Sequence, residues 1–228
     1  MHSTPPRPPL PRPSLPRHPT RDGRVDLLLV DAVHDALRRD TRRLLVWSRS
    51  CFPVTTPAWT DFQERLRTHL AAERTTLWPV LRRRKLPVDA GPVERARRRV
   101  TLLAVTVDDC LAGRGPASRT AEYMTALDEA LTAYLDAQKA LVLPLLEEHI
   151  TAGEWADYDA AQRQPFGLAS GAALCAWLLD EAPPERREAI RRLFPPGVRV
   201  AYRWWERRRA RDVVATAGQP RRTSKARR

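Results

Sequence analysis

The sequence HLAAERTTLWPVL, at residues 69–81, recurs in altered form as YLDAQKALVLPLL, at residues 134–146. Leucine, alanine and proline recur at matching positions of the two segments, as at Pro79 and Pro144. His69 and Glu73, which are four residues apart and therefore share one helix face, align with Tyr134 and Gln138. The repeat predicts a duplicated helix-pair fold whose polar centre is retained in one half and lost in the other.

The positive charge of the chain is concentrated at its two ends. The formal net charge is +13 over 228 residues, but residues 25–198 contain as many acidic as basic residues. Residues 1–19 are rich in proline, and residues 1–24 are predicted to form a proline- and arginine-rich disordered arm. The uncharged segment at residues 166–179 is too short to span a bilayer.

Compartment and origin are indicated only by composition and by the N-terminus. Three scattered cysteines, without a CxxC spacing, favour reduced thiols, and no secretory signal is evident. These features predict a cytoplasmic protein. Abundant alanine together with scarce lysine is typical of a GC-rich bacterial genome.

Apolar residues at helical spacing predict four long amphipathic helices between residues 25 and 150. The expected helices cover about 25–48, 57–84, 92–111 and 119–149, and short connections join them. Such helices pack most economically as an antiparallel up-down-up-down four-helix bundle. Thr151 and Glu154 form a capping box that opens a C-terminal helical extension at residues 151–214, followed by a basic disordered tail at residues 215–228.

Three polar residues occupy positions on the predicted core faces. His34 lies among Val30 and Leu37, while His69 and Glu73 continue the apolar face of the second helix. A buried carboxylate is costly unless it is paired or bound to a cation. In one interpretation, His34 and His69 are ordinary buried histidines that are hydrogen-bonded to Glu73. In the other, all three residues are ligands of a metal ion.

These residues and motifs resemble the bacterial hemerythrin-like domains, the HHE cation-binding group. The resemblance covers residue 26 to about residue 155, and it includes LWPVL after HLAAE and LPLLEEHITAGEW after the fourth helix. It implies a four-helix bundle with a histidine on the first helix, HxxxE on the second, a histidine on the third and HxxxE or HxxxD on the fourth. Two metal ions lie between the two halves of that fold. The C-terminal extension is also similar to one found on some members.

Carried over residue by residue, the resemblance assigns His34, His69 and Glu73 as metal ligands. The third-helix histidine falls on Arg97, or on Arg98 if the register is shifted by one. The fourth-helix pair falls on Tyr134 and Gln138. Because a guanidinium has only donors and stays protonated, we expect that a di-iron centre does not form.

Two interpretations of the remaining half-site stay open. In the first, His34, His69 and Glu73 hold one Fe or Zn ion, since two imidazoles and a carboxylate form a recognised ligand set. In the second, Arg97 extends into the core and pairs with Glu73, and Tyr134 and Gln138 complete a hydrogen-bonded network. A cation near the site repels a metal ion, which favours the second.

The basic ends suggest a further activity. Arg203, Arg207 and Arg211 are spaced four residues apart beside Trp204 and Trp205. Arginine with exposed tryptophan is typical of a surface that meets nucleic acid or anionic membrane. In the alternative, the tryptophans pack on the helices and the arginines form a solvated face.

Three functions are consistent with the sequence. The first is a hemerythrin-like protein with a degenerate centre, which acts as a non-catalytic binding, sensing or regulatory bundle. The second is a mononuclear metal site that senses oxygen, nitric oxide or peroxide, by analogy with the family. The third is an adaptor that binds nucleic acid or anionic membrane through its ends. Arrangements typical of hydrolytic or nucleophilic catalysis are not found, so we expect no enzyme.

Overall fold

Helices form the described part of the chain. A computed structural model describes the backbone of residues 25–50, 56–163 and 168–217, and the side chains of residues 25–50, 57–163 and 170–207. No strand occurs within these ranges, so the all-α prediction is confirmed. The predicted arm at residues 1–24, the linker through Cys51 and Pro53, and residues 218–228 of the predicted tail lie outside the described residues.

The helices follow the predicted order with small shifts at their ends. In chain order the α-helices are α1 (Leu28–Arg49), α2 (Thr56–Ala72), α3 (Trp78–Arg83), α4 (Ala90–Leu111), α5 (Thr120–Ala137), α6 (Leu143–His149), α7 (Ala152–Arg163), α8 (Leu168–Leu179), α9 (Pro184–Arg192) and α10 (Pro196–Ala217). A 3-10 turn at Ala117–Arg119 precedes α5. Helix α10 extends three residues into the segment that was predicted as tail.

Local sequence signals set several helix ends. The Asp89 side chain accepts a hydrogen bond from the Gly91 backbone and caps the start of α4. Gly113, just beyond α4, adopts a φ of 74°, a conformation that a glycine takes without steric cost. The Thr151 hydroxyl accepts a hydrogen bond from the Glu154 backbone while the Glu154 carboxylate accepts one from the Thr151 backbone, so the predicted capping box is confirmed.

The repeated segments share a backbone irregularity. A π-helical turn at Glu73–Leu77 joins α2 to α3, and another at Gln138–Val142 joins α5 to α6. In these turns the Trp78 amide donates to the Glu73 carbonyl and the Leu143 amide donates to the Gln138 carbonyl. Each turn comes just before a proline, Pro79 or Pro144, whose ring would clash with the carbonyl four residues earlier in an α-helix. The wider turn relieves that clash and marks the repeat in the backbone itself.

The π-helical turn also corrects one predicted core residue. The apolar spacing of the fourth predicted helix, at Leu127, Leu131, Leu135 and Leu141, predicts that Leu141 is buried. Its side chain is instead exposed, while Val142, Leu143 and Leu146 are buried. A π-helical turn contains more residues per turn than an α-helix. The inward face of the helix therefore shifts along the sequence after Gln138.

Helix packing brings the four long helical segments and the extension together. Helix α5 packs along α4 and α1, α1 packs along α2, and α7 packs on α2 and on the first π-helical turn. Helix α8 packs against α10 and α9, and α1 also contacts α8 and α9. The residues buried in the centre are mainly aliphatic, among them Val30, Leu37, Val93, Val100, Val107, Leu127 and Leu131.

Among the helices that the structure describes, none is both long and apolar enough to cross a bilayer. Of the cysteines, Cys110 and Cys175 are buried free thiols. Burial raises the pKa of the Cys175 thiol to about 12, so this thiol stays protonated at neutral pH.

Candidate metal centre

Three predicted ligands meet in the interior. His34 comes from α1, His69 from the last turn of α2, and Glu73 from the first position of the adjoining π-helical turn. Their side chains are almost fully buried, with exposed fractions of 3%, 0% and 2%. One potential ligand atom from each residue lies within 4.8 Å of the other two. The sequence therefore identified the members of this cluster.

The three groups face each other without a hydrogen bond between them. His69 Nε2 lies 3.1 Å from Glu73 Oε1, yet this contact lacks the alignment of a hydrogen bond, and His69 Nε2 has no hydrogen-bond partner among the described residues. His34 Nε2 is buried and equally without a described partner. The two imidazole rings meet edge to face, with centroids 5.1 Å apart. Two ring nitrogens and a carboxylate oxygen thus share a small volume without satisfying one another.

The His34 imidazole is neutral at pH 7. Burial first, and then the neighbouring His69, Arg38 and Lys139, hold the pKa of His34 well below its ordinary value of 6.5. A neutral imidazole carries a free lone pair, which is the form that binds a metal ion. The environment of His34 therefore prepares it as a ligand.

The second oxygen of Glu73 is occupied by the other half of the repeat. The Tyr134 hydroxyl donates a hydrogen bond to Glu73 Oε2, and Gln138 Nε2 donates to the Tyr134 hydroxyl over 2.9 Å. Burial and the Glu73 carboxylate hold the pKa of Tyr134 well above 10, so the phenol keeps the proton that it donates. The structure thus contains the hydrogen-bonded network expected of Tyr134 and Gln138, and it leaves Oε1 facing the histidines.

Helix α7 supplies a residue that the sequence analysis missed. Gln162 Nε2 lies 2.7 Å from His69 Nδ1 and donates to the Tyr158 hydroxyl over 2.7 Å. Trp155, Tyr158 and Gln162 share the buried face of α7. A polar residue on an apolar face is the signal that identified His34, and the same signal was present at Gln162. An amide next to Nδ1 fixes the orientation and tautomer of an imidazole.

The predicted pairing of Arg97 with Glu73 is wrong. The Arg97 guanidinium donates to both carboxylate oxygens of Glu94, at 2.9 and 2.6 Å, one turn earlier on α4. This partner raises the pKa of Arg97. A half-exposed pair on one helix avoids the desolvation of a guanidinium in the core, which explains the difference. Arg97 is more buried than Arg98, at 27% against 76% side-chain exposure, so the register at Arg97 is favoured.

The donor set fits one metal ion. Two ligands of one tetrahedral ion, each about 2.1 Å from it, are about 3.4 Å apart. The three atoms lie within 4.8 Å of one another, so they must move closer by up to about 1.4 Å to share an ion. Two imidazoles and a carboxylate suit Fe or Zn and leave coordination positions open. The residues at the other family ligand positions are engaged in hydrogen bonds: Tyr134 donates to Glu73, Gln138 donates to Tyr134, and Arg97 donates to Glu94.

The predicted anion-binding residues lie apart from this centre. Arg203 and Arg207 are exposed on α10, and the side chain of Arg211 lies outside the described residues. Trp204 is 62% exposed and Val200, one turn earlier, is 66% exposed. The alternative in which both tryptophans pack inward does not hold for Trp204. Trp205 stacks near the Tyr202 ring, with centroids 6.5 Å apart.

Fold and site together define a helical protein with a buried His-His-Glu cluster. Comparison of the chain with protein-family models, curated proteins and solved structures found no match.

Proposed function

We propose that this chain is a metal-binding protein of the hemerythrin-like type that holds a single Fe or Zn ion at His34, His69 and Glu73. One observation carries the proposal: two buried imidazole nitrogens, without a hydrogen-bond partner among the described residues, lie beside a carboxylate oxygen, all within 4.8 Å. Unpaired polar atoms in a dry interior cost free energy. A bound cation removes that cost.

The helix contacts support the family resemblance. The long segments are arranged as an antiparallel up-down-up-down bundle in this proposal, and the packing of α1 on α2 and of α5 on α1 and α4 is consistent with it. The π-helical turns at equivalent positions of the repeat support a duplicated helix pair. The half that contains His69 binds metal, and the half that contains Tyr134 supplies hydrogen bonds.

The proposed role is binding or sensing and not catalysis. A bound ion would supply a Lewis-acidic centre with open coordination positions for a small ligand such as oxygen, nitric oxide or peroxide. Glu73 and the two histidines hold the ion, Tyr134 orients Glu73, and Gln162 orients His69. Chemistry that needs two metal ions is not available to a centre with one ligand set.

Metal analysis of the purified protein tests this proposal. Protein produced in medium supplemented with iron and zinc is expected to contain about one equivalent of metal, the number that one ligand set supports. His69→Ala and His34→Ala should remove that metal, whereas His149→Ala, at a partly exposed histidine on α6, should retain it. Metal content far below one equivalent in the unaltered protein would show a purely hydrogen-bonded polar core.

A second candidate function rests on α10. Val200 and Trp204 form an exposed apolar strip beside the exposed Arg203 and Arg207, a combination suited to an anionic surface. Binding to anionic vesicles or DNA should weaken steeply with salt. It should also fall in the Arg203→Glu/Arg207→Glu variant. Binding that is absent at low salt would exclude this function.

A further inference from the structure

A cavity of about 230 Å³ lies between α2 and α8, beside the candidate metal centre. One wall is a polar strip of α2, made of Asp61, Glu64, Arg65 and Thr68. Their spacing of three, four and seven residues places them on one helix face. The cavity therefore has a charged wall that carries both signs.

The opposite wall is largely apolar. Ala173, Leu174 and Trp177 of α8 form this wall, and Leu29 and Val33 of α1 also line the cavity. The Trp177 ring is fixed, because its Nε1 donates to Asp40 over 2.6 Å. A polar wall that faces an apolar wall selects an amphipathic occupant.

Arg65 carries the electrostatic argument. Its guanidinium carbon lies over the Trp177 ring, 4.5 Å from the centroid, and such a cation–π contact does not occupy a hydrogen-bond acceptor. No described residue accepts a hydrogen bond from Arg65 or forms an ion pair with it, although the carboxylates of Asp40, Asp61 and Glu64 are close enough to favour its charge. A half-buried guanidinium with unused donors suits a planar carboxylate.

We propose that this cavity binds a small apolar zwitterion, of the chemical class of an α-amino acid with an aliphatic or aromatic side chain. The ligand carboxylate pairs with Arg65, and its ammonium group lies toward the carboxylates of Asp61 and Glu64. The apolar side chain packs on Leu174 and Val33. An apolar cavity of about 150 Å³ accommodates benzene, so this larger cavity admits a ligand of roughly ten non-hydrogen atoms.

The site is distinct from the metal ligands and goes beyond the proposed function. Gln162, which contacts His69, lines one end of the cavity, but none of the three ligands does. The test therefore uses metal-free protein, so that its outcome does not depend on metal binding.

Calorimetric titration with three related compounds tests the proposal. L-leucine has both charges, 4-methylpentanoate lacks the ammonium group, and 3-methylbutylamine lacks the carboxylate. L-leucine is expected to bind. The dissociation constant of each analogue should be at least roughly tenfold higher, because each loses one charge-assisted interaction. Equal binding of 4-methylpentanoate and leucine, or no binding of leucine at millimolar concentration, overturns the proposal.

Variants locate the binding to the cavity. Arg65→Met should weaken leucine binding roughly tenfold or more, and Asp61→Asn should weaken it less, since Asp61 is exposed. Arg67→Met is the matched control, because Arg67 is exposed on the same helix and donates to Gln63. Ala173→Trp, which fills the cavity from its mouth, should abolish binding without touching Arg65. Unchanged binding in either Arg65→Met or Ala173→Trp, with circular dichroism verifying the fold, overturns the proposal.

Discussion

Tyr134 donates its hydroxyl proton to Oε2 of Glu73, across the two halves of the repeat. Position 134 aligns with position 69 in the repeat. The counterpart of His69 in the second half therefore bonds the carboxylate of the first half. The second copy of the repeat, which has no carboxylate at position 138, thus supplies a hydrogen bond to the carboxylate of the first. The retained carboxylate keeps one oxygen for the histidines and has its second oxygen satisfied.

Replacement of Tyr134 by phenylalanine removes this hydrogen bond and leaves Oε2 buried without a donor. The free energy of unfolding of the metal-free protein should fall by about 1–3 kcal/mol, which is the cost of an unsatisfied buried polar group. Urea denaturation measures it. Tyr123→Phe is the control, since Tyr123 is only partly buried and no described residue accepts a hydrogen bond from its hydroxyl. Equal losses in both variants would assign the effect to packing.

Gln162 should control the affinity of the centre for metal. Gln162→Leu removes the amide next to His69 Nδ1, so the imidazole loses its fixed orientation, and partners of this kind typically contribute about tenfold to a hundredfold in affinity. Competition with a chromophoric chelator measures the change. Gln63→Leu, on the exposed side of α2, should leave the affinity unchanged. An unchanged metal affinity in Gln162→Leu would show that Gln162 of α7 does not influence metal binding.

The pH dependence of stability should contain a contribution from His34. Its pKa in the folded protein lies well below 6.5, so in the unfolded chain the imidazole binds a proton at a pH where the folded form does not. Stability is then fully retained above about pH 6.5 and falls as the pH decreases below it, by at most about 1.4 kcal/mol per pH unit. His34→Gln should show a shallower fall between pH 6.5 and 5 in metal-free protein. Parallel curves would contradict a neutral, buried His34.

The helices and the His34, His69 and Glu73 cluster were predictable because each rests on local spacing. Apolar residues at helical intervals gave the long helices within a few residues of their ends, and polar residues on those apolar faces identified His34, His69 and Glu73. The capping box at Thr151 likewise depends on residues three apart. Patterns of this kind are short and need no knowledge of tertiary packing.

The features that the sequence did not predict depend on contacts between distant residues or on competition between possible partners. Gln162 lies 93 residues from His69 in the chain, and its partner is defined only once α7 has packed on α2. Arg97 pairs with Glu94 on its own helix, and this partly exposed pair costs less desolvation than a pair with the buried Glu73. The π-helical turns follow from the prolines that come after them, and apolar periodicity does not include this effect. The turn at Gln138–Val142 explains why Leu141 is exposed.

Restoration of the second half-site should add a second metal ion. The π-helical turn at Gln138–Val142 matches that at Glu73–Leu77, so a histidine at 134 and a glutamate at 138 would occupy the backbone positions that His69 and Glu73 occupy in the first half. Arg97→His would supply a further imidazole and remove a fixed positive charge that opposes metal binding. The triple variant Arg97→His/Tyr134→His/Gln138→Glu is expected to bind about two equivalents of metal, one for each ligand set.

Two comparisons make this outcome specific to the restored ligands. The double variant Tyr134→His/Gln138→Glu retains the Arg97 guanidinium, so its second ion should bind more weakly than in the triple variant. Addition of His69→Ala to the triple variant should return the metal content to about one equivalent or less, because it breaks the first ligand set. If the triple variant folds by circular dichroism and still binds no more metal than the unaltered protein, positions 134 and 138 do not form a second ligand pair. The two halves of the repeat would then be equivalent in backbone but not in the volume that they enclose.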